Sequence, residues 1–239
     1  MYIHCRGGSN SGNDFFVDLV MDIKEQIRDI KTQFRLSMNG VASHSMRERG
    51  LDYKLNFGVE LPRLKEIASH YEKNHELAQT LWKENVRESK ILAGMLQPID
   101  TFYPEIADIW VEDMHYPEIA EITCMTLFQY LPYASEKAFE WMADDREHFQ
   151  YCGFLLMARL LGRDQVLGER PAEELLDQAQ TAILSEPYYP RKAAALALKK
   201  YALQSSTNAS RVRKILGALE LSGKDFVLPI CQEIRFEIE

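Results

Sequence analysis

Apolar residues recur at steps of three and four along almost the whole chain, interrupted only by short polar or proline-bearing connections. That period is the signature of amphipathic helices, and nothing in the sequence sustains the alternation a half-buried strand needs. Val20, Ile23, Ile27, Ile30 and Phe34 set one face of a helix over Phe15–Leu36. After a polar turn at Asn39-Gly40 comes a short helix near His44–Arg49, then a loop from Tyr53 to Pro62. Pro62 suits the first turn of the next helix, whose face carries Leu64, Ile67, Ala68 and Tyr71. Asn74 is placed to cap a helix over Glu76–Lys83. Further helices are expected over Glu88–Leu96, Pro104–Met114, Glu118–Tyr130, Ser135–Met142, Glu147–Leu161, Pro171–Leu184, Arg191–Leu203, Ala209–Leu221 and Lys224–Glu237. Composition agrees: 27 Leu stand against 9 Val, with only 12 Gly and 9 Pro to make turns. The chain is all-α, and so many short-linked helices fit an α-solenoid of stacked antiparallel helix pairs better than a four-helix bundle.

Residues 1–20 read as a disordered leader, and 21–239 as one helical-repeat domain, since no shift in composition divides the rest. The opening MYIHCRGGSNSG lacks the apolar stretch of a secretory signal, and translation beginning naturally at Met21 is the matching expectation. The net charge of −8 is unevenly spread. Residues 100–145 carry eleven acids and a single base, Lys137, whereas the flanks are close to neutral and leave room for a local basic face. Four scattered cysteines (Cys5, Cys124, Cys152, Cys231) form no CxxC pair, so a reduced, cytoplasmic protein is expected. The six histidines show no ligand spacing, and phosphate-loop, dinucleotide, zinc-protease and nucleophile-elbow motifs are all missing. Neither a metal nor a cofactor is expected. Cys152 lies in the apolar run Phe149–Leu161 and reads as a buried thiol, not a nucleophile.

Glu118 and Glu121 stand three apart at a helix start, on one face, where the helix dipole favours anions. By pattern alone this is an acidic first turn. A broader set of fragments gives it a second meaning: Tyr53, Asn56-Phe57-Gly58-Val59 and Leu61-Pro62-Arg63-Leu64; Leu77-Ala78, Leu81-Trp82-Lys83 and Glu88-Ser89-Lys90-Ile91-Leu92-Ala93; Trp110-Val111, Cys124-Met125-Thr126-Leu127-Phe128 and Glu136-Lys137-Ala138-Phe139-Glu140-Trp141; then Gly153-Phe154 and Arg191-Lys192-Ala193. In their order and spacing, over roughly residues 45–200, they resemble the DNA alkylation repair family of AlkD-like glycosylases. The resemblance implies a solenoid of HEAT/ARM-like helical repeats, duplex DNA as partner, and excision of N3- or N7-alkylated purines. Such a purine is a cationic leaving group that needs no general acid. The enzyme must grip the backbone and set a carboxylate beside the sugar as oxocarbenium character develops.

The family supplies that carboxylate from a W-D-x-x-D motif, which falls here on Pro117 to Glu121. Glu121 then stands for the catalytic aspartate, Glu118 for the first aspartate, and Pro117 for the tryptophan, with Tyr116 able to restore part of the aromatic wall. The second tryptophan of the family falls on Leu196, and its cleft arginine near Gln150-Tyr151. The expected site is therefore Glu121 and Glu118 as carboxylates and Tyr116 and Tyr151 against the substrate, with Arg191, Lys192, Lys199 and Lys200 on the phosphates. Arg211, Arg213 and Lys214 could extend the stripe. The rival reading is a non-catalytic helical scaffold that binds a protein partner or an unusual DNA structure in its groove.

Overall fold

The computed structural model describes residues 11–238, with side chains from Ile23 onward. The leader expected over residues 1–20 lies outside the described side chains. Among the described residues there are thirteen α-helices and two single turns of 3-10 helix, with no strand beyond an isolated bridge between Leu55 and Val86. The chain divides into two compact units, Met1–Gln97 and Pro98–Glu239.

The first unit contains α1 (Ser11–Leu36), α2 (Gly40–Glu48), α3 (Leu61–Ala68), α4 (His75–Trp82) and α5 (Arg87–Leu96). Ile23, Ile30 and Phe34 of α1 are buried as their spacing requires, against a core that includes Leu64, Ile67, Leu77 and Leu81. Asn74 caps α4, its side-chain oxygen accepting the Leu77 amide at 3.0 Å, and Asn39 caps α2 in the same way through Ala42. Most of this unit's buried polarity lies at one place. Arg87, Glu88, Ser89 and Lys90 open α5 fully inside the unit. Glu88 accepts the amides of Phe57 (3.1 Å) and Val59 (3.2 Å) and the Arg87 guanidinium (3.0 Å), which in turn donates to the Val59 carbonyl. The Asn56-Phe57-Gly58-Val59 segment is thus a pinned loop. Gly58 sits at φ +68°, where a Cβ would come within 2.3 Å of the Asn39 carbonyl oxygen, so glycine is required there on both counts.

The second unit runs from α6 (Pro104–Glu112) through α7 (Pro117–Thr126), α8 (Ala134–Met142), α9 (Glu147–Leu161), α10 (Glu169–Leu184), α11 (Tyr188–Ala202) and α12 (Ser206–Glu220) to α13 (Val227–Ile238). Helices α8 and α9, α10 and α11, and α12 and α13 pack as pairs, while α9 lies between α7 and α11, and α11 also meets α13. This is the repeating arrangement expected from the sequence, with one helix of each pair forming an inner row. Helix α9 is buried around most of its circumference, as an almost uncharged helix must be. Gly153 lets α8 press onto it, since a Cβ there would lie 2.5 Å from the Met142 backbone nitrogen. Alanines 193, 194, 195 and 197 of α11 are all buried, a run of small side chains inside the unit.

The helix expected over Glu118–Tyr130 is broken. It ends at Thr126, Leu127 leaves helical geometry (φ −130°, ψ −63°), and a 3-10 turn follows over Phe128–Tyr130. Two causes combine. Pro132 holds Leu131 extended, and Phe128 is drawn into an aromatic cluster between Phe102 and Trp141. All three tryptophans of the chain, Trp82, Trp110 and Trp141, are core residues. No helix of the described residues is long and apolar enough to cross a membrane.

Candidate nucleic-acid interface

Two clefts mark opposite ends of the inner row α7, α9 and α11. The first gathers the N-terminal ends of all three helices. The second gathers the C-terminal ends of α9 and α11 together with the turn that follows α7. The three helices therefore run side by side in one direction. From Tyr151 to Arg163 along α9 is twelve residues, or about 18 Å. That distance matches about five base-pair steps of a duplex at 3.4 Å each.

The first cleft has a volume of about 320 Å³ and is lined by Tyr116, Pro117, Glu147, His148, Tyr151 and Tyr189 among others. Tyr116 precedes Pro117, which opens α7 at the position where a proline costs no hydrogen bond. Tyr151 projects from the second turn of α9, and its hydroxyl donates to Glu121 Oε1 at 2.7 Å. Burial, followed by that hydrogen bond, pushes the Tyr151 phenol far above its ordinary pKa, so it stays a neutral donor to the carboxylate. Tyr189 packs on Tyr151 with ring centres 5.5 Å apart and is itself edge-on to Tyr188 at 5.4 Å. The sequence-expected Glu121, Tyr151 and Tyr116 are therefore brought together. Glu121 is exposed on α7 behind Tyr151 and Glu118 is half-buried near it, and neither carboxylate is among the residues that line the cleft. Glu147, the carboxylate that does line the cleft, forms no ion pair or hydrogen bond among the described residues. The adjacent His148 has a buried Nε2 without a hydrogen-bond partner, and a Glu112 carboxylate oxygen stands 4.0 Å away.

The aromatic wall is built differently from the expectation. Leu196, where the resemblance sets the second tryptophan, lies in the other cleft. Tyr189, about two turns earlier on α11, supplies the ring instead. Sequence reasoning missed it, although the pair Tyr188-Tyr189 ahead of Pro190 was a signal: two large aromatics at a helix start, 55% and 44% exposed.

The four expected phosphate contacts do not share a face. Lys192 and Lys199, one on each side of two helical turns, both point to α13. There they meet Glu233 at 3.1 and 2.9 Å, and Lys199 also meets Glu237 at 2.7 Å. Hydrogen bonds from the two lysines hold the Glu233 carboxyl below its usual pKa. Arg191 donates to the Ser185 carbonyl and stacks its guanidinium 4.2 Å from the centre of the Phe226 ring. Of the four, Lys200 alone reaches a cleft, the second one, of about 330 Å³. Arg211 pairs with Glu169, and Arg213 caps the end of α13 at the Ile238 carbonyl.

Lys200 is joined in that second cleft by Arg159 and Arg163. All three are exposed, and none forms an ion pair among the described residues. Arg163 donates to the Gln129 carbonyl and lies over the Tyr130 ring, 4.4 Å from its centre, which fixes its direction. Elsewhere in this unit Lys137, Arg146, Lys192, Lys199, Arg211 and Arg235 are each held by carboxylates. A convergent, unneutralised trio is what a polyanion backbone requires.

The described residues hold no group of three or more His, Cys, Asp or Glu side chains suited to a metal ion. Cys124, Cys152 and Cys231 are free and buried. The neighbouring Cys124 thiol and complete burial raise the Cys152 pKa well above the thiol range, removing its nucleophilic form.

The fold is that of a HEAT-like repeat protein. A family model described as DNA alkylation repair enzyme matches residues 30–218, and the chain belongs to that family. A similar solved structure is described as one of a new family of proteins related to the HEAT-like repeat DNA glycosylases with affinity for branched DNA structures. It shares 17% identity and a TM-score of 0.74, covering 87% of this chain and 94% of its own. No curated protein matches the sequence.

Proposed function

We propose that this chain binds duplex DNA along α7, α9 and α11, gripping phosphates with Arg159, Arg163 and Lys200 and setting Glu121 beside the sugar of an N3- or N7-alkylated purine. The observation that carries the reading is the unpaired cation trio at one end of a helix row, with an aromatic and acidic cleft at the other. The sign separation orients the ligand: phosphates are attracted to the basic cleft and repelled from Glu121 and Glu147. Family membership supports DNA as the partner.

Fluorescence anisotropy of a labelled duplex, at low salt and near physiological salt, tests this directly. The expected result is binding that weakens steeply with salt, log K falling by about 0.9 per phosphate contact per decade. Absence of binding at low salt overturns the reading. Release of base from methylated duplex then tests Glu121, whose replacement Glu121→Gln is expected to slow excision by roughly 2–4 kcal/mol of barrier, as loss of one electrostatic stabiliser does. Equal release by the variant and the parent removes Glu121 from that role.

A second reading is DNA binding without excision. It is favoured by Pro117 and Leu196 standing where the family's two tryptophans would, and by the affinity for branched DNA described for the similar structure. Tight, salt-sensitive binding with no base release from methylated duplex is the outcome that selects it.

A further inference from the structure

The first cleft contains more aromatic surface than a duplex can use. A double helix offers its sugars and phosphates to a protein face, and its bases are already stacked on one another. Yet Tyr189 is 44% exposed, and it meets the buried Tyr151 at 55° instead of stacking closely, which leaves the Tyr189 ring open to a ligand. Three tyrosines from the starts of three helices, Tyr116 just before α7, Tyr151 on α9 and Tyr189 on α11, are held around one volume of about 320 Å³. That lies at the lower end of the range for small-molecule sites. The residues that fix them are rigid: Tyr151 by its bond to Glu121, and Tyr116 by the proline that follows it.

The electrostatics of the cleft narrow the ligand. Glu147 is the single carboxylate among its lining residues and carries no partner. Beside His115 and His148, which also line the cleft, it disfavours a phosphate and accepts N–H donors. A flat ring with a π-face and N–H groups on its edge satisfies both the tyrosines and the carboxylate, and within a nucleic acid that ring is a base free of its Watson–Crick partner. The cation trio about 18 Å away along α9 then carries the phosphates of the adjoining duplex.

We infer that the Tyr116, Tyr151 and Tyr189 cleft takes up a single unpaired nucleobase from DNA whose duplex portion rests on Arg159, Arg163 and Lys200, so that the ligand is DNA interrupted by an unpaired base. This rests on the DNA-binding reading above and deepens it. Stacking on Tyr189 supplies the affinity, and the Glu147 carboxylate accepts from the base edge. Guanine, which presents two adjacent N–H donors to a carboxylate, is the favoured base.

The test compares three duplexes of identical length by anisotropy: fully paired, with one bulged guanine, and with one bulged abasic site. The bulged guanine is expected to bind roughly tenfold or more tighter than the abasic bulge, the scale of one base stacked on an aromatic ring. Tyr189→Ala is expected to bring that ratio close to one, while Tyr189→Phe, which keeps the ring, retains it. A bulged 2-aminopurine is expected to lose fluorescence on binding to the parent and to Tyr189→Phe, but not to Tyr189→Ala. Equal affinity for base and abasic bulges overturns the inference while leaving DNA binding intact. Failure to bind any of the three overturns the DNA-binding reading itself, so the two failures are told apart.

Discussion

Replacing Glu88 by glutamine is expected to destabilise the protein by about 3–5 kcal/mol, although the side chain changes by no more than an oxygen exchanged for an NH2 group. Glu88 is fully buried. Oε1 accepts from the Val59 amide and the Arg87 guanidinium, and Oε2 from the Phe57 amide. Every one of these partners is a donor. A glutamine can offer its carbonyl to one side only, and whichever way the amide turns, its NH2 faces a backbone N–H. One buried donor is left unsatisfied, and the Arg87 guanidinium, 3% exposed, loses the Glu88 charge beside it. The loop carrying Asn56 and Gly58 then loses part of its anchorage to α5, keeping the bonds from Arg87 to the Leu55 and Val59 carbonyls. Urea unfolding followed by far-UV circular dichroism checks this: the midpoint should fall sharply while the slope stays constant. A loss below about 1 kcal/mol would show that the carboxylate is not the clasp of this loop.

That clasp also shows what a sequence can and cannot disclose. Asn56-Phe57-Gly58-Val59 and Glu88 both belong to the fragments that carry the family resemblance, but nothing in the chain between them says that they touch. Helix existence was legible throughout because each helix buries a face at a fixed local period, and Asn74 was legible as a cap because its chemistry is local. Boundaries failed where a non-local contact decided them. Phe128 is pulled out of α7 by Phe102 and Trp141, and α11 begins at Tyr188, because Pro190 falls in the first turn, where its missing N–H costs nothing. At the site, Glu121 and Tyr151 were identified but not their bond across thirty residues. Lys192 and Lys199 looked free, yet they are seven apart and so face one way, and Glu233 and Glu237, one turn apart on α13, answer them. Arg159 carries one local signal, as the single charge in the run Phe149–Leu161, but its meeting with Arg163 and Lys200 depends on packing that the sequence does not display.

The largest functional effect is expected from the triple variant Arg159→Ala, Arg163→Ala, Lys200→Ala. If each cation neutralises one phosphate, the slope of log K against log salt should become shallower by about 2.7, and affinity at about 0.1 M salt should fall by two to three orders of magnitude. The loss should be the same for unrelated duplex sequences, because phosphates carry no sequence information. Stability should change little, since these side chains are exposed and form no ion pair, Arg163 alone giving up a bond to the Gln129 carbonyl and its contact with Tyr130. The double variant Lys192→Ala, Lys199→Ala is the informative contrast. It removes two positive charges, both from α11, but charge already neutralised by Glu233 and Glu237, so its effect on the salt slope should be small while its effect on stability is the larger of the two. Arg235→Ala, which breaks a pairing with Glu220, serves as a control for net charge alone. A salt slope that responds to all three changes in proportion to the charge each removes would mean that DNA senses only the overall charge of the chain. A response confined to Arg159, Arg163 and Lys200 would assign the backbone grip to the ends of α9 and α11, and with it the direction in which DNA must lie to reach Glu121.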